Sequence, residues 1–445
     1  MRMQVRWIML VWLAVASAGV VLPLLASQAD VTPRKLLTIS VTGNHRFNTG
    51  DIVAASGLAP GMTAGEDDFR KAAERLGDTG AFSDVSYSYT YSEAGTKLTF
   101  DIKEHTEFVP ARFEDFVWFS DEEIRHQIKE RVPLFDGELP VSGKLAAQVS
   151  DVLQGMLIEK GLSGHVDYDR LVKEEGGNIQ AVLFSVQGVS ILVRRAQVTG
   201  AGADELAQMQ AVSGLSGKAY TRSGLELFVE KQILPVFREH GYIKAEVKIL
   251  PPKTIPPQSE SPGDRQNATY VDVEFITRPG NQYQIAGIEW DGNKIVPVEQ
   301  LNALLRAKPG KTANSIQLAA DLDRVRQLYA SQGYIRTAIK PEEQFDEPSS
   351  SVKYRLKVVE DSQYKMGELE IRGLDRALEA KVIEAWKLHP GAVYNAGYLP
   401  AFLQEAVKLL TKSLDWTTTH HVTANVRDKT VDVEIHFTAQ ATRQE

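Results

Sequence analysis

Gly310-Lys311-Thr312 is the triplet in this sequence that most invites a chemical reading, because a glycine followed by Lys-Thr closes a phosphate-binding loop. That loop also needs a glycine five residues upstream, whose amide helps cradle the phosphates, and Leu305 stands there. Gly217-Lys218 fails in the same way, with Val212 upstream. Both are expected to be turns between helices. His420-His421 could offer two imidazoles to a metal, but neighbours on a strand point to opposite faces and no His-x-x-x-His or carboxylate cluster supports them. His45 has no nearby serine that would suggest a triad. Asp67-Asp68 and Asp121-Glu122-Glu123 fall where helices are expected to start, and the helix dipole accounts for acidic residues there. There is no cysteine among the 445 residues, which excludes a thiol nucleophile, disulfides, iron–sulfur clusters and Cys-based zinc sites. The residues therefore point to no catalytic site, no metal and no cofactor, and the chain is expected not to be an enzyme.

What these residues sit on is set by composition and pattern. Hydrophobic residues make up 43% and charged residues 24%, ordinary for a folded protein. The formal charge is −8 and no dense Lys/Arg run occurs, so nucleic acid is not an expected partner. Arg2 and Arg6 precede an apolar run from Trp7 to Ala26, followed by Ser27-Gln28-Ala29. This reads as a signal peptide over residues 1–29, cut after Ala29. The run is also long enough to remain as an N-terminal membrane anchor. No second apolar segment of membrane length follows. Pro251–Asn267 is a long Pro/Ser-rich stretch, read as an insertion or a docking loop.

Internal repetition decides the architecture. A β-rich segment ending at a glycine recurs at Gly43, Gly200, Gly292 and Gly373, and a second glycine follows 17 or 18 residues later at Gly61, Gly217, Gly310 and Gly391. A third opens Gly80-Ala81-Phe82, Gly241-Tyr242-Ile243 and Gly333-Tyr334-Ile335. The interval from Gly43 to Gly200 is double, so a degenerate copy is expected there, with Phe113 to Phe119 as its first strand and Gly137 and Gly161 as its later glycines. Five units result: 36–104, 107–188 (degenerate), 190–279, 282–361 and 363–439.

Each unit reads strand, helix, helix, strand, strand. In the fourth, Leu318, Leu322, Val325 and Tyr329 share a helical face, and Tyr354, Leu356 and Val358 alternate as a strand. The third repeats this with Leu225, Val229, Ile233 and Val236, then Val271, Val273 and Phe275. The second uses Leu145, Val149, Val152 and Met156, then Val182, Phe184 and Val186. The fifth ends with Val431, Val433, Ile435 and Phe437, and its second helix boundary is placed near Leu414. The expected fold is α+β: a tandem array of small β-α-α-β-β domains, each a three-stranded mixed sheet covered by two helices.

This order, with Val41-Thr42-Gly43-Asn44 and Ser331-Gln332-Gly333-Tyr334-Ile335, resembles the POTRA (polypeptide-transport-associated) domain. Five such domains behind an export signal are similar to the periplasmic region of BamA/TamA-type outer-membrane assembly proteins. That family continues into a membrane barrel, whereas this sequence ends at Glu445. The resemblance implies a periplasmic array associated with the outer membrane. Its partners would be an outer-membrane barrel protein or unfolded outer-membrane protein clients, with membrane association through partners or an uncleaved N-terminal segment. The other layout it resembles is an inner-membrane-anchored periplasmic scaffold of the FtsQ-like type.

The resemblance also implies a mode of action. The second strand of such a domain lies at a sheet edge, where an extended peptide can add to unpaired backbone groups (β-augmentation). The corresponding segments are Val85–Tyr91, Val166–Leu171, Ala245–Leu250, Arg336–Lys340 and Val422–Val426. The first is singled out as a peptide-binding edge: Val85, Ser86, Tyr87, Ser88, Tyr89, Thr90 and Tyr91 carry no charge to discourage pairing. Packing alone reads the same segment as a half-buried strand covered by tyrosines.

Overall fold

The computed structural model describes residues 33–172, 177–200, 202, 210–255, 268–410 and 414–441. The N-terminal segment 1–29 read as a signal or anchor, and most of the Pro-rich stretch, lie outside them. Cα proximity divides the chain into two compact units. One comprises the residues up to Ala111 with Arg125–Leu153 and Arg170–Val182; the other comprises Arg112–Ile124, Gln154–Asp169 and the residues from Leu183 onward.

Five small sheets follow one another along the chain. The first has the order β2-β1-β4-β3, from β1 (Arg34–Thr42), β2 (Thr63–Ala64), β3 (Phe82–Ser92) and β4 (Gly95–Glu104). The second has the order β6-β5-β8-β7, from β5 (Phe108–Phe113), β6 (Glu138–Pro140), β7 (His165–Val172) and β8 (Ile179–Gln187). The third joins β9 (Ser190–Thr199) to β12 (Ala268–Arg278), and on the far side of β12 run β10 (Glu246–Ile249) and β11 (Lys253–Ile255). The fourth is β13-β15-β14, from β13 (Gln284–Asp291), β14 (Ala338–Asp346) and β15 (Ser351–Val359). The fifth is β16-β18-β17, from β16 (Lys365–Arg372), β17 (Leu414–Asn425) and β18 (Thr430–Ala441). In the first, third, fourth and fifth sheets the first strand pairs parallel to the last, and the second pairs antiparallel to it. The α+β class expected from the sequence is what the chain adopts.

The first and second sheets have a fourth strand, β2 and β6, that periodicity does not show, and in the third β11 follows β10 on the same side of β12. β2 and β6 come from the turn between the two helices, which folds back onto the first strand. Gly61 N–H donates to Leu36 O at 2.7 Å and Leu36 N–H to Met62 O at 2.7 Å. The same reciprocal pair links Gly217 and Lys218 with Val193, Gly310 and Lys311 with Ile285, and Gly391 and Ala392 with Met366. All four glycines have φ between 77° and 93°, a left-handed conformation that costs other residues energy.

The strand-end glycines serve a different purpose. At Gly43, Gly200, Gly292 and Gly373 an added Cβ would meet the carbonyl of Ile102, Thr277, Val358 or Phe437 on the last strand, and each glycine has φ between 81° and 88°. Only a residue without a side chain lets the first strand leave the sheet there.

The helices bury the faces that their periodicity predicts. Leu318, Leu322, Val325 and Tyr329 of helix Ser315–Ser331 are at most 4% exposed and pack on Tyr354, Leu356 and Val358. Each such side chain contributes on the order of 1.5–3 kcal/mol of burial. In the third repeat, Leu225, Val229 and Ile233 pack on Val271, Val273 and Phe275, although their helix is not uniform. Residues Val229–Ile233 form a π turn, in which Leu234 N–H donates to Val229 O five residues back. Pro235 explains the widening: its ring clashes with the carbonyl four residues earlier and it has no N–H to give.

Two expectations need correction. The first strand of the second repeat is Phe108–Phe113, not Phe113 to Phe119. Glu114, Asp115, Phe116 and Val117 are all below 10% exposed. Four consecutive buried side chains do not suit a strand with one solvated face. They form a turn in which Asp115 accepts the Val186 N–H at 2.8 Å. In the fifth repeat the second helix ends at Lys408, and Leu414 already begins β17.

Candidate peptide-docking edge

The seven residues singled out in the sequence all lie in β3. One side of β3 pairs with β4, from Val85 opposite Ile102 to Tyr91 opposite Thr96. Among the described residues no strand pairs with its other side. The pleat turns Ser86, Ser88 and Thr90 to solvent and leaves Val85, Tyr87, Tyr89 and Tyr91 half-buried.

Helix Glu66–Asp78 builds the tyrosine face. Phe69, fully buried, lies 5.3 Å from the Tyr89 ring and 6.3 Å from Tyr87. Tyr89 and Tyr91 are 5.0 Å apart. The Tyr89 hydroxyl donates to Glu66 Oε2 at 3.0 Å, and this bond to a carboxylate pushes its pKa up to about 12. Arg34 sits 5.3 Å over the Tyr91 ring and donates to Ser92 O at 3.2 Å. The packing reading of these tyrosines and the open edge therefore coexist: the rings cover the helix while the backbone of β3 faces outward.

The five outer strands differ in what guards them. β7 carries Asp167, Asp169 and Arg170; β10 carries Glu246 and Lys248; β14 carries Lys340, Pro341, Glu342 and Glu343. Charges and proline of this kind discourage edge pairing. β3 has no charged residue from Val85 to Ser92, and β17 has none from Trp416 to Asn425. The fifth edge expected at Val422–Val426 overlaps the end of this longer strand, Leu414–Asn425, whose ten uncharged residues are the signal in the sequence that marks it.

The other chemistry-bearing residues are not brought together. The Gly310 and Gly217 amides, which a phosphate loop would need free, donate to Ile285 O and Val193 O at 2.8 Å. His420 and His421 face opposite sides of β17, opposite Ile435 and Glu434. His45 is exposed. Asp68 accepts the Gly65 N–H at 2.9 Å in the first turn of its helix, and Asp121-Glu122-Glu123 open helix Asp121–Arg131, as the dipole argument requires. Among the described residues no group of three His, Cys, Asp or Glu could hold a metal ion, and no helix is long and apolar enough to cross a membrane.

A cavity of about 410 Å³ lies in the second unit, between the turn at Phe116–Asp121, the start of helix Arg222–Phe228 and β10. Its charges are occupied. Arg222 holds Asp121 through two bonds of 2.7 and 3.0 Å, Arg112 pairs with Glu226, and Glu114 accepts the Ser223 N–H at 2.8 Å and its hydroxyl at 2.6 Å. Burial pushes the Tyr220 phenol up to about 12. The arrangement ties a turn to a helix start and leaves no spare base.

A family model described as "Surface antigen variable number repeat" (POTRA) matches residues 37–105 and 283–361, the first and fourth repeats. These two repeats therefore resemble POTRA domains. A "Putative outer membrane protein assembly factor" of Treponema pallidum (strain Nichols) is 26% identical over 229 residues, 50% of this chain and 26% of that protein. The chain thus spans about a quarter of the length of this curated relative. Among solved structures, Haemophilus influenzae BamA POTRA3-5 is 16% identical, covers 56% of this chain and 95% of its own, and has a TM-score of 0.41. POTRA1-3 of Omp85 from Anabaena is 18% identical with a TM-score of 0.24, covering 57% of this chain and 95% of its own.

Proposed function

We propose that this chain is a non-enzymatic periplasmic POTRA array, working near the outer membrane, that binds or guides outer-membrane protein substrates or partners of barrel assembly by β-augmentation. The observation that carries the reading is the edge of β3, uncharged from Val85 to Ser92 and, among the described residues, unpaired on one side. An edge of that kind takes an extended peptide through backbone hydrogen bonds, with little demand on its sequence. The name of the Treponema relative favours the same role. Each of the five units proposed from the sequence holds one sheet, apart from two residues at the start of β1 and two at the end of β18, which supports that division.

Crosslinking in the native envelope tests this. A photo-crosslinking residue in place of Ser88 is expected to capture barrel proteins or unfolded barrel clients in the outer-membrane fraction. Capture of inner-membrane division or scaffold proteins instead, with residues 1–29 still attached, supports the anchored-scaffold reading and overturns this one.

A further inference from the structure

We propose that β17 is a self-association surface, pairing antiparallel with β17 of a second copy of this chain about a two-fold axis at His420. Thr417 and the residues from Thr419 to Ala424 are exposed, so from Thr419 onward both faces of the strand are open, whereas Trp416 packs in part on the core of its own repeat. Val422 and Val426 are 40% and 51% exposed. From Trp416 to Asn425 ten residues in a row carry no formal charge that would oppose a second strand.

The sequence of the strand argues for a second copy as the occupant. Reflected about His420, Thr417 faces Thr423, Thr418 faces Val422 and Thr419 faces His421, pairs in which β-branched residues predominate. Trp416 of each copy falls opposite Ala424 of the other, a large side chain against a small one. Both lie on the face that continues Val431, Val433, Ile435 and Phe437 of β18, which their register with that strand establishes. The Trp416 side chain would thereby extend over the exposed apolar shelf of Val422 and Ala424 in the second copy. The ends are complementary in charge as well. Asp415 opens the strand, and the turn that closes it carries Arg427, Asp428 and Lys429, a net positive group. The two-fold sets the acid of each copy at the basic end of the other. An isologous contact of this kind closes on itself and yields a dimer rather than a fibre. The guarded edges β7, β10 and β14 lack this self-complementary run.

The absence of native cysteine makes the test direct. In His420→Cys the two thiols face each other across the axis, with Cα atoms about 4.5–5.5 Å apart, inside the disulfide range. In Thr417→Cys the same two positions are separated by six residues of strand, about 20 Å. Under mild oxidation of the purified full chain, His420→Cys is expected to form a disulfide dimer at least tenfold faster than Thr417→Cys, and adding Val422→Lys should remove that advantage. Analytical ultracentrifugation of the unmodified chain should show dimer growing with concentration. A chain that stays monomeric at every concentration, as it would if this edge took a client strand instead, overturns the proposal. So does a Thr417→Cys chain that crosslinks as fast as His420→Cys. Circular dichroism of each variant confirms that it is folded before its rate is compared.

Discussion

The Tyr364 N–H donates to the carbonyl of Gly333 at 2.8 Å, tying the glycine that follows one repeat's second helix to the residue just before the first strand of the next. The same joint recurs between Tyr283 and Gly241 at 2.9 Å. A glutamine reinforces each: Gln363 Nε2 reaches Gln332 O at 2.9 Å, and Gln282 Nε2 reaches His240 O at 2.8 Å. The third glycine of the repeat, visible in the sequence as the start of Gly-Tyr-Ile, is therefore a docking point for the following repeat. A Cβ at Gly333 would lie 2.8 Å from Tyr364 O and 2.9 Å from Val393 Cγ1.

Gly333→Ala should accordingly cost more than the left-handed backbone alone explains. Gly310 is the control, with φ of 77° and nothing within 4 Å of an added Cβ. Gly310→Ala is expected to cost about 1 kcal/mol, and Gly333→Ala about 2–4 kcal/mol, because the joint must also open. Urea unfolding of the two variants measures the difference; equal midpoints would show that the joint carries no stability.

Asp321 is fully buried in helix Ser315–Ser331, and its carboxylate accepts the Arg306 and Ala307 amides at 2.7 and 2.8 Å. Gln317 and Arg324 also donate to it. It closes the turn that follows helix Val298–Leu304. Asp321→Ala leaves two backbone donors and a guanidinium short of a partner, for an expected loss of about 3 kcal/mol. Asp321→Asn keeps an acceptor and should lose less. Denaturation midpoints decide the order of the three proteins.

Asp115 gives the second unit a pH dependence of definite sign. Burial pushes its pKa up to about 6, opposed by the hydrogen bond from the Val186 amide and assisted by the nearby Glu114. Unfolded, it releases its proton near pH 4. The folded chain therefore holds that proton more tightly. The stability this confers is complete below about pH 4 and is lost as pH rises through about 6, by up to roughly 3 kcal/mol. Asp115→Asn removes this contribution and still offers an oxygen to Val186. The difference in unfolding free energy between the two proteins should move in favour of the variant between pH 4 and pH 7, and a constant difference would contradict the assignment.

Most of the fold was legible because its repeating constraints are backbone constraints. Strand-end glycines such as Gly292 and turn glycines such as Gly310 recur where no side chain fits or where φ is positive, so they mark each repeat even where other residues diverge. The helical faces, as at Leu318, Leu322, Val325 and Tyr329, were read from period alone. What escaped depends on partners distant in sequence. The turn at Glu114–Val117 looks like an apolar strand until Ser223 and Val186 are seen to satisfy its carboxylates. The π turn at Val229–Ile233 follows from Pro235 but has no periodic signature. At the candidate site, the absence of charge in β3 was visible, whereas its free side and the Phe69–Tyr89 contact needed the fold.

The most direct test of the proposed role is the amide spectrum of the isotope-labelled chain titrated with an extended peptide of alternating valine and threonine. The β3 edge predicts that amides from Val85 to Tyr91 shift on titration. It also predicts that Ser86→Lys, Ser88→Lys and Thr90→Lys together, all on the exposed face, weaken binding by at least about tenfold, roughly 1.4 kcal/mol. A spectrum in which β3 does not respond, or a response that the three lysines leave unchanged, would contradict peptide docking at this edge.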